Sequence, residues 1–243
     1  MSHLPDPHSP TDREPPPERL QISHLFLWTA MSAVLLGFDR ATSQPSNGEL
    51  GRLPAIIAFC YAPLFGAGTS ALVLWLWRKC TAGPRFPSQP GHWLLLLLGI
   101  GGIVYLGVRA SLLFSASGGS GLASFVAVRM FGSIAAISLY VYAVQDSRSV
   151  WRFVFWLGLI FNVLSLLATT LAALNGDFQS LLYRSEIWLA WLFTAATLLA
   201  AMLDIAHRNR RDYLHWTGLA ARIGYMLLFT AIPYLIRWTE SKS

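Results

Sequence analysis

Arg109 and Arg129 are the residues of this sequence whose type and position are best suited to chemistry. Each lies inside a long run of apolar residues, and the Gly- and Ser-rich segment 115–121 separates the two runs. A guanidinium can hold a carboxylate or a phosphate through two parallel hydrogen bonds, and a charge within a membrane span is a candidate for function. At 1.5 Å per helical residue, both arginines would lie about 8–10 Å below one membrane face. The sequence therefore predicts an anion-binding site formed by Arg109 and Arg129.

Internal pairing is the alternative for these arginines, and the sequence alone favours it. The loops on the same membrane face carry several acids, and a long arginine side chain can also extend to the lipid headgroups. A third arginine, Arg222, is nearer the other face and is predicted to extend to that interface. The acids are Asp39, Glu49, Asp177, Glu186 and Glu240.

Catalytic and metal-binding patterns are the next candidates. Gly118-Gly119-Ser120-Gly121 resembles the Gly-x-Ser-Gly motif of rhomboid intramembrane proteases. That family pairs its serine with a histidine on the same side of the membrane, whereas the four histidines near helix ends here are predicted to lie on the opposite side at the interface. No His-Glu-x-x-His or Cys-x-x-Cys motif is present, so we expect no metal, haem or other cofactor. The histidines are His24, His92, His207 and His215.

Composition identifies the elements that would position these residues. Apolar residues make up 54% of the 243-residue chain and charged residues only 12%, whereas soluble domains carry about 25% charged residues. The fold predicted is an all-α transmembrane bundle over residues 21–238. A hydrocarbon core of about 30 Å needs about 20 helical residues. The first apolar run, residues 22–38, is shorter than this, and if it does not cross the membrane six spans remain. The seven apolar runs are 22–38, 53–77, 93–114, 122–144, 150–174, 187–206 and 214–236.

The ends and the loops indicate an orientation. Residues 1–20 contain six prolines and four acids and are predicted to be a disordered cytosolic tail, and residues 239–243 form a short tail. The N-terminal side of the predicted topology carries ten of the Lys and Arg residues and the other side six. The positive-inside rule then places the N-terminus in the cytosol and the C-terminus outside.

The first span carries a resemblance. Its residues His24-Leu25-Phe26-Leu27-Trp28-Thr29-Ala30, followed by Ala33-Val34-Leu35-Leu36, resemble the opening span of uncharacterised bacterial multi-pass membrane proteins. The resemblance implies a bacterial inner membrane and no particular activity.

Small and polar residues recur at helical spacing in four spans. Such stripes mark the faces that pack against other helices or line a polar path, and helix packing is the interpretation that we favour. The stripes are Gly102, Tyr105 and Arg109; Arg129, Ser133, Ala136 and Tyr140; Gly158, Asn162, Ser165 and Thr169; and Thr194, Thr197, Ala201 and Asp204.

The polar stretch 204–215 and the overall charge bear on partners. This stretch could dock anionic lipid headgroups or a cytosolic protein, but a basic orienting loop with local ion pairs is favoured. The net charge of +6 indicates no nucleic-acid partner, because only two lysines are present and the arginines flank apolar runs.

Two functions follow from the sequence. The favoured one is a non-enzymatic integral membrane protein, either an accessory subunit or a sensor. Its expected partners are the bilayer and either an anionic lipid or another membrane protein. The alternative is a carrier or binder of an anionic lipid or small anion that uses Arg109 and Arg129.

Overall fold

The computed structural model describes residues 22–42, 52–81, 87–116, 121–147, 149–175, 179–207 and 211–240. Within these ranges the chain forms seven α-helices. Each helix contains the apolar run predicted at its position, so the all-α helical bundle is confirmed. The helices are α1 (Ile22–Thr42), α2 (Arg52–Cys80), α3 (Pro90–Ala116), α4 (Gly121–Asp146), α5 (Ser149–Asn175), α6 (Gln179–Ala206) and α7 (Tyr213–Glu240).

Five of the helices are long and apolar enough to cross a membrane. This finding supports an integral membrane protein. In the described part of the chain α1 and α7 do not belong to this group, so their spanning the membrane stays a prediction. The five apolar segments are Ile56–Cys80, Pro90–Ser111, Ala123–Asp146, Val150–Leu171 and Ile187–Ala206.

The helices alternate in direction along the bundle. Each packs against the next from α1 to α6, and α7 packs against α2, α3 and α6. Trp93 at the start of α3 donates a hydrogen bond to Asp146 at the end of α4, and His24 near the start of α1 bonds with Tyr213 at the start of α7. Odd-numbered helices therefore begin at the end that carries His92, which we call the His92 end. The opposite end is the Arg109 end.

Helix α3 is the most enclosed element near its start. The five leucines from Leu94 to Leu98 are all buried, and α3 packs against α1, α2, α4 and α7. A helix that is apolar on every side belongs in the interior of a bundle. On the outer surface, by contrast, large apolar side chains such as Phe26, Phe131 and Trp188 are exposed, as expected for surfaces that face lipid.

Glycines allow α3 to approach its neighbours closely. A Cβ atom on Gly68 of α2 would lie 2.4 Å from the backbone nitrogen of Gly99 in α3. A Cβ atom on Gly218 of α7 would lie 2.0 Å from the carbonyl oxygen of Gly91 in α3. Small residues at such crossings are typical of membrane helices, since packing rather than water exclusion holds these helices together. The two contacts fix α3 between α2 and α7.

Candidate functional site

A cavity of about 360 Å³ lies inside the bundle, lined by residues from α2 to α7. Small-molecule sites are typically about 300–1,000 Å³, so this cavity is at the lower end of that range. Among the described residues that line it there is no Asp or Glu. Its polar and charged lining residues are Tyr61, Tyr105, Arg129, Ser133, Tyr140, Asn162, Ser165, Arg222 and Tyr225.

The polar stripes of α4 and α5 face this cavity. All four members of the α4 stripe line it, from Arg129 to Tyr140, and so do Asn162 and Ser165 of the α5 stripe. The α6 stripe instead lies in helix packing, where Thr194 and Thr197 donate to backbone carbonyls one turn earlier. The α6 stripe is buried, which agrees with the helix-packing interpretation, whereas α4 and α5 provide the polar wall of a cavity.

Arg222 lines the cavity from α7 and is buried, with 9% of its surface exposed. Its Nε donor has no hydrogen-bond partner within the described residues. The Cζ atom lies 5.0 Å from the centre of the Phe193 ring and 5.4 Å from that of Tyr225. The predicted extension of Arg222 to the interface is wrong, because this residue is about 14 Å along α7 and its guanidinium is held between aromatic rings.

Arg129 lines the same cavity from α4, together with Ser133 one turn further along the helix. Further along α4 the buried Tyr140 is placed to hydrogen-bond with the side chain of Asn162. The amide of Asn162 also donates a 2.9 Å hydrogen bond to the carbonyl of Gly158. Gly158 makes room for the Tyr140 ring, since a Cβ there would lie 2.2 Å from that ring. Two cations and several neutral hydrogen-bonding groups therefore line one cavity.

Arg109 has a different environment. Its Nε lies 2.9 Å from Oδ1 of Asp39, and Tyr105 donates a 2.6 Å hydrogen bond to the same oxygen. The Nη2 group of Arg109 also reaches the backbone carbonyl of Asp39 at 3.4 Å. This is the internal pairing named as the alternative for Arg109. The site predicted from Arg109 and Arg129 together stays a prediction, with Arg109 bound to Asp39 and Arg129 on the cavity.

A second polar cluster lies at the His92 end. Nε2 of His92 lies 2.9 Å from Oδ1 of Asp212, and Nδ1 of His92 accepts a hydrogen bond from the backbone of Ser88. Because Nδ1 accepts, the proton of the neutral ring is on Nε2 and is donated to Asp212. His215 accepts a 3.0 Å bond from the backbone of Gly91. Both histidines are fully buried near the starts of α3 and α7, and Nε2 of His215 lies 3.7 Å from Oδ2 of Asp204 with no hydrogen-bond partner within the described residues. Their predicted position at the membrane interface stays a prediction.

Asp204 is the second carboxylate of this cluster. Arg211 donates to both of its oxygens, at 3.0 and 3.1 Å, and the indole of Trp151 donates at 2.9 Å. The local ion pair expected for the stretch 204–215 is therefore present, while Arg208 and Arg210 lie outside the described residues.

The hydrogen bonds around Asp212 set its acidity. Burial raises the pKa of this carboxyl, but the hydrogen bonds from the His92 side chain and from the backbone N–H of His215 act in the opposite direction, and the pKa lies below its ordinary value. The carboxylate form is thus part of the folded structure. No group of three or more potential metal ligands occurs within the described ranges. Ser120, the centre of the protease-like motif, lies outside them.

Sequence reasoning did not find Arg222 as a cavity residue. Its spacing from Tyr225, Met226 and Phe229 predicts that all four residues share one face of a helix. In the structure this face of α7 lines the cavity.

No protein-family model, curated protein or solved structure matches this chain. The resemblance in the first span therefore stays a prediction.

Proposed function

We propose that this protein binds a small anion inside its helical bundle, with Arg222 as the principal contact and Arg129 as the second. The observation that carries the proposal is the burial of the Arg222 guanidinium on a cavity that has no carboxylate among its described lining residues. Charged residues within a membrane bundle are costly and commonly mark a ligand or ion path.

The energetic argument concerns the Nε donor of Arg222. A buried donor without a partner costs about 1–3 kcal/mol, and more when it carries charge. The rings of Phe193 and Tyr225 offset part of this cost, because a cation is attracted to the face of an aromatic ring. The face of a ring attracts the cation but does not replace a hydrogen bond to oxygen, whereas a bound carboxylate or phosphate would offer two acceptor oxygens.

The neutral lining suits an anion as well. Hydroxyl and amide groups of Ser133, Asn162 and Ser165 line the cavity and can donate to oxygen. A ligand bound between the helices fits a sensor or a carrier. An accessory subunit without a ligand is the second candidate. It predicts that Arg109, Arg129 and Arg222 are each satisfied inside the protein, and the pairing of Arg109 with Asp39 agrees with it.

We further propose that the protein resides in a bacterial inner membrane with its N-terminal tail in the cytosol. Support comes from the resemblance of the first span and from the excess of Lys and Arg on the N-terminal side of the topology. In this orientation the His92 end is cytosolic.

Thermal unfolding of the detergent-purified protein tests the anion proposal, with acetate, inorganic phosphate and phenylacetate as probes. A ligand that binds only the folded state at 100 times its Kd stabilises that state by about 2.7 kcal/mol. We expect at least one probe to raise the Tm of wild type and to lose this effect in Arg222→Gln. Arg40→Gln, on an exposed arginine of α1, is the matched control.

Native mass spectrometry gives an independent readout. Wild type should carry a co-purified anion that is depleted in Arg222→Gln and in Arg129→Gln. If every probe leaves the Tm unchanged and no bound anion is detected, the binding proposal is wrong and the accessory-subunit candidate replaces it.

A further inference from the structure

We infer that the ligand of this cavity is an aromatic carboxylate, whose charged group contacts Arg222 and whose ring lies against a wall of aromatic side chains. The inference rests on the proposed function and narrows the anion to one chemical class. It follows from how the rings that line the cavity are connected to one another and to the cation.

Five aromatic residues from three helices form this wall, and all of them line the cavity. Phe65 is at its centre, with ring centres 5.5 Å from Tyr61, 5.6 Å from Tyr105 and 5.5 Å from Tyr225. Phe229 extends it at 6.3 Å from Tyr225. We call Tyr61, Phe65, Tyr105, Tyr225 and Phe229 the aromatic wall.

The aromatic wall begins at the cation. Tyr225 is both a member of the wall and one of the two rings beside the Arg222 guanidinium, at 5.4 Å from its Cζ atom. A ligand with its carboxylate at Arg222 therefore meets aromatic faces directly beside that group. Ring pairs at such separations attract one another beyond the effect of burying their area.

This arrangement disfavours an inorganic anion. Phosphate or sulfate would satisfy the guanidinium but would leave the apolar part of the lining against water, which costs free energy for each Å² of apolar surface. An aromatic carboxylate binds the guanidinium with its charged group and covers the apolar lining with its ring. Its carboxylate also offers the two acceptor oxygens that a guanidinium such as that of Arg222 can bind.

A matched series of probes tests the inference on the purified full chain. Phenylacetate carries both the ring and the charge, acetate only the charge, phenylacetamide only the ring, and cyclohexylacetate replaces the aromatic ring by an aliphatic one. We expect phenylacetate to bind at least about tenfold more tightly than acetate, cyclohexylacetate and phenylacetamide, measured by calorimetric titration. Arg222→Lys should retain part of this affinity and Arg222→Gln should lose it.

Variants of the wall provide a second readout. Phe229→Leu should weaken phenylacetate binding several-fold and leave acetate binding unchanged, because it removes a ring and no charge. Phe153→Leu, on an exposed phenylalanine of α5, is the control and should behave as wild type.

The outcomes separate the two proposals. If acetate or inorganic phosphate binds as tightly as phenylacetate in an Arg222-dependent way, the aromatic inference is wrong and anion binding stands. Equal affinity for cyclohexylacetate and phenylacetate would also overturn the aromatic inference, in favour of a general apolar carboxylate. Absence of binding by every charged probe, or equal binding of phenylacetamide and phenylacetate, would overturn both.

Discussion

The Nε atom of Arg109 lies 2.9 Å from Oδ1 of Asp39, and this ion pair joins α3 to α1 at the Arg109 end. The carboxylate side chain is 7% exposed and the arginine 23%, so the pair is largely removed from solvent. Tyr105 adds a hydrogen bond to the same oxygen. In a lipid environment such a pair holds α1 against the interior helix α3.

Breaking this pair is expected to destabilise the protein. Asp39→Ala leaves the arginine without its partner, and we expect a loss of about 2–4 kcal/mol, since removing one member of a buried pair leaves an uncompensated charge. Thermal unfolding in detergent would report the loss as a lower Tm. The double variant Asp39→Ala/Arg109→Ala should recover part of it. Equal Tm values for Asp39→Ala and wild type would show that the pair contributes nothing.

Replacing Arg222 should have the opposite effect. Arg222→Met removes a buried charge with an unsatisfied donor and keeps an apolar side chain of similar length. Without added anion we expect a higher Tm, by about 1–2 kcal/mol of stability, as when buried charges are replaced by apolar groups. Arg211→Met is the contrast, because it breaks the two bonds to Asp204 and should lower the Tm. A lower Tm for Arg222→Met would mean that the free protein already satisfies this arginine.

The contact between Gly68 and Gly99 should tolerate no side chain. Gly68→Ala would place a Cβ atom 2.4 Å from a backbone nitrogen of α3, and the two helices must separate to accommodate it. We expect a loss of about 2 kcal/mol or more, measured as a lower Tm or denaturation midpoint. Gly37→Ala is the matched control, since no atom lies within 4 Å of its added Cβ, and it should be neutral or stabilise by up to about 1 kcal/mol. Similar effects of both substitutions would contradict the close approach.

Asp212 should make stability depend on acid pH. Its pKa lies below the ordinary value of 3.8 in the folded protein, so the unfolded chain takes up its proton first as the pH falls. The stabilisation is therefore complete above about pH 4 and is lost as the pH falls through the folded-state pKa. Tm measured from pH 6 to pH 3 should fall more for wild type than for Asp212→Asn, so that the two converge in acid. Parallel curves would contradict the contribution of this carboxylate.

Cys80 provides a test of orientation. It is an exposed free thiol at the His92 end of α2, and Cys60 can be replaced by serine. With the N-terminus in the cytosol, a membrane-impermeant maleimide should label Cys80 only after the cells are permeabilised. Arg40→Cys in a background without other cysteines marks the Arg109 end and should be labelled in intact cells. The reverse pattern would invert the proposed topology.

The helices were predictable from sequence because an apolar run of about 20 residues has few alternatives in a membrane. The pairing of Arg109 was only partly predictable. Asp39 was one of five acids on that side, and sequence gives the depth of a residue but not the angle at which its helix packs. The contact between His92 and Asp212 joins residues 120 positions apart, and neither residue carries a local signal of the other.

The cavity was the least predictable feature. The α4 and α5 stripes predicted polar helix faces, and residues of both stripes line the cavity. The same spacing of small and polar residues is also typical of helix packing, so the sequence could not distinguish the two. Arg222 was predicted to lie at the interface because its position along α7 was the only information that the sequence offered about its surroundings. The rings of Phe193 and Tyr225 that enclose it become relevant only once α6 and α7 are packed together.

The packing of α7 against α2, α3 and α6 also has a consequence for the assembly of the newly made chain. A ribosome produces this helix after the other six, yet it supplies Arg222 to the cavity, and Asp212 immediately before it supplies the partner of His92. Before α7 has packed, the cavity therefore lacks the wall that α7 supplies, and His92 lacks its carboxylate partner. Sensitivity to acid, which depends on Asp212, and binding of the proposed ligand therefore both report whether α7 has packed against the other helices.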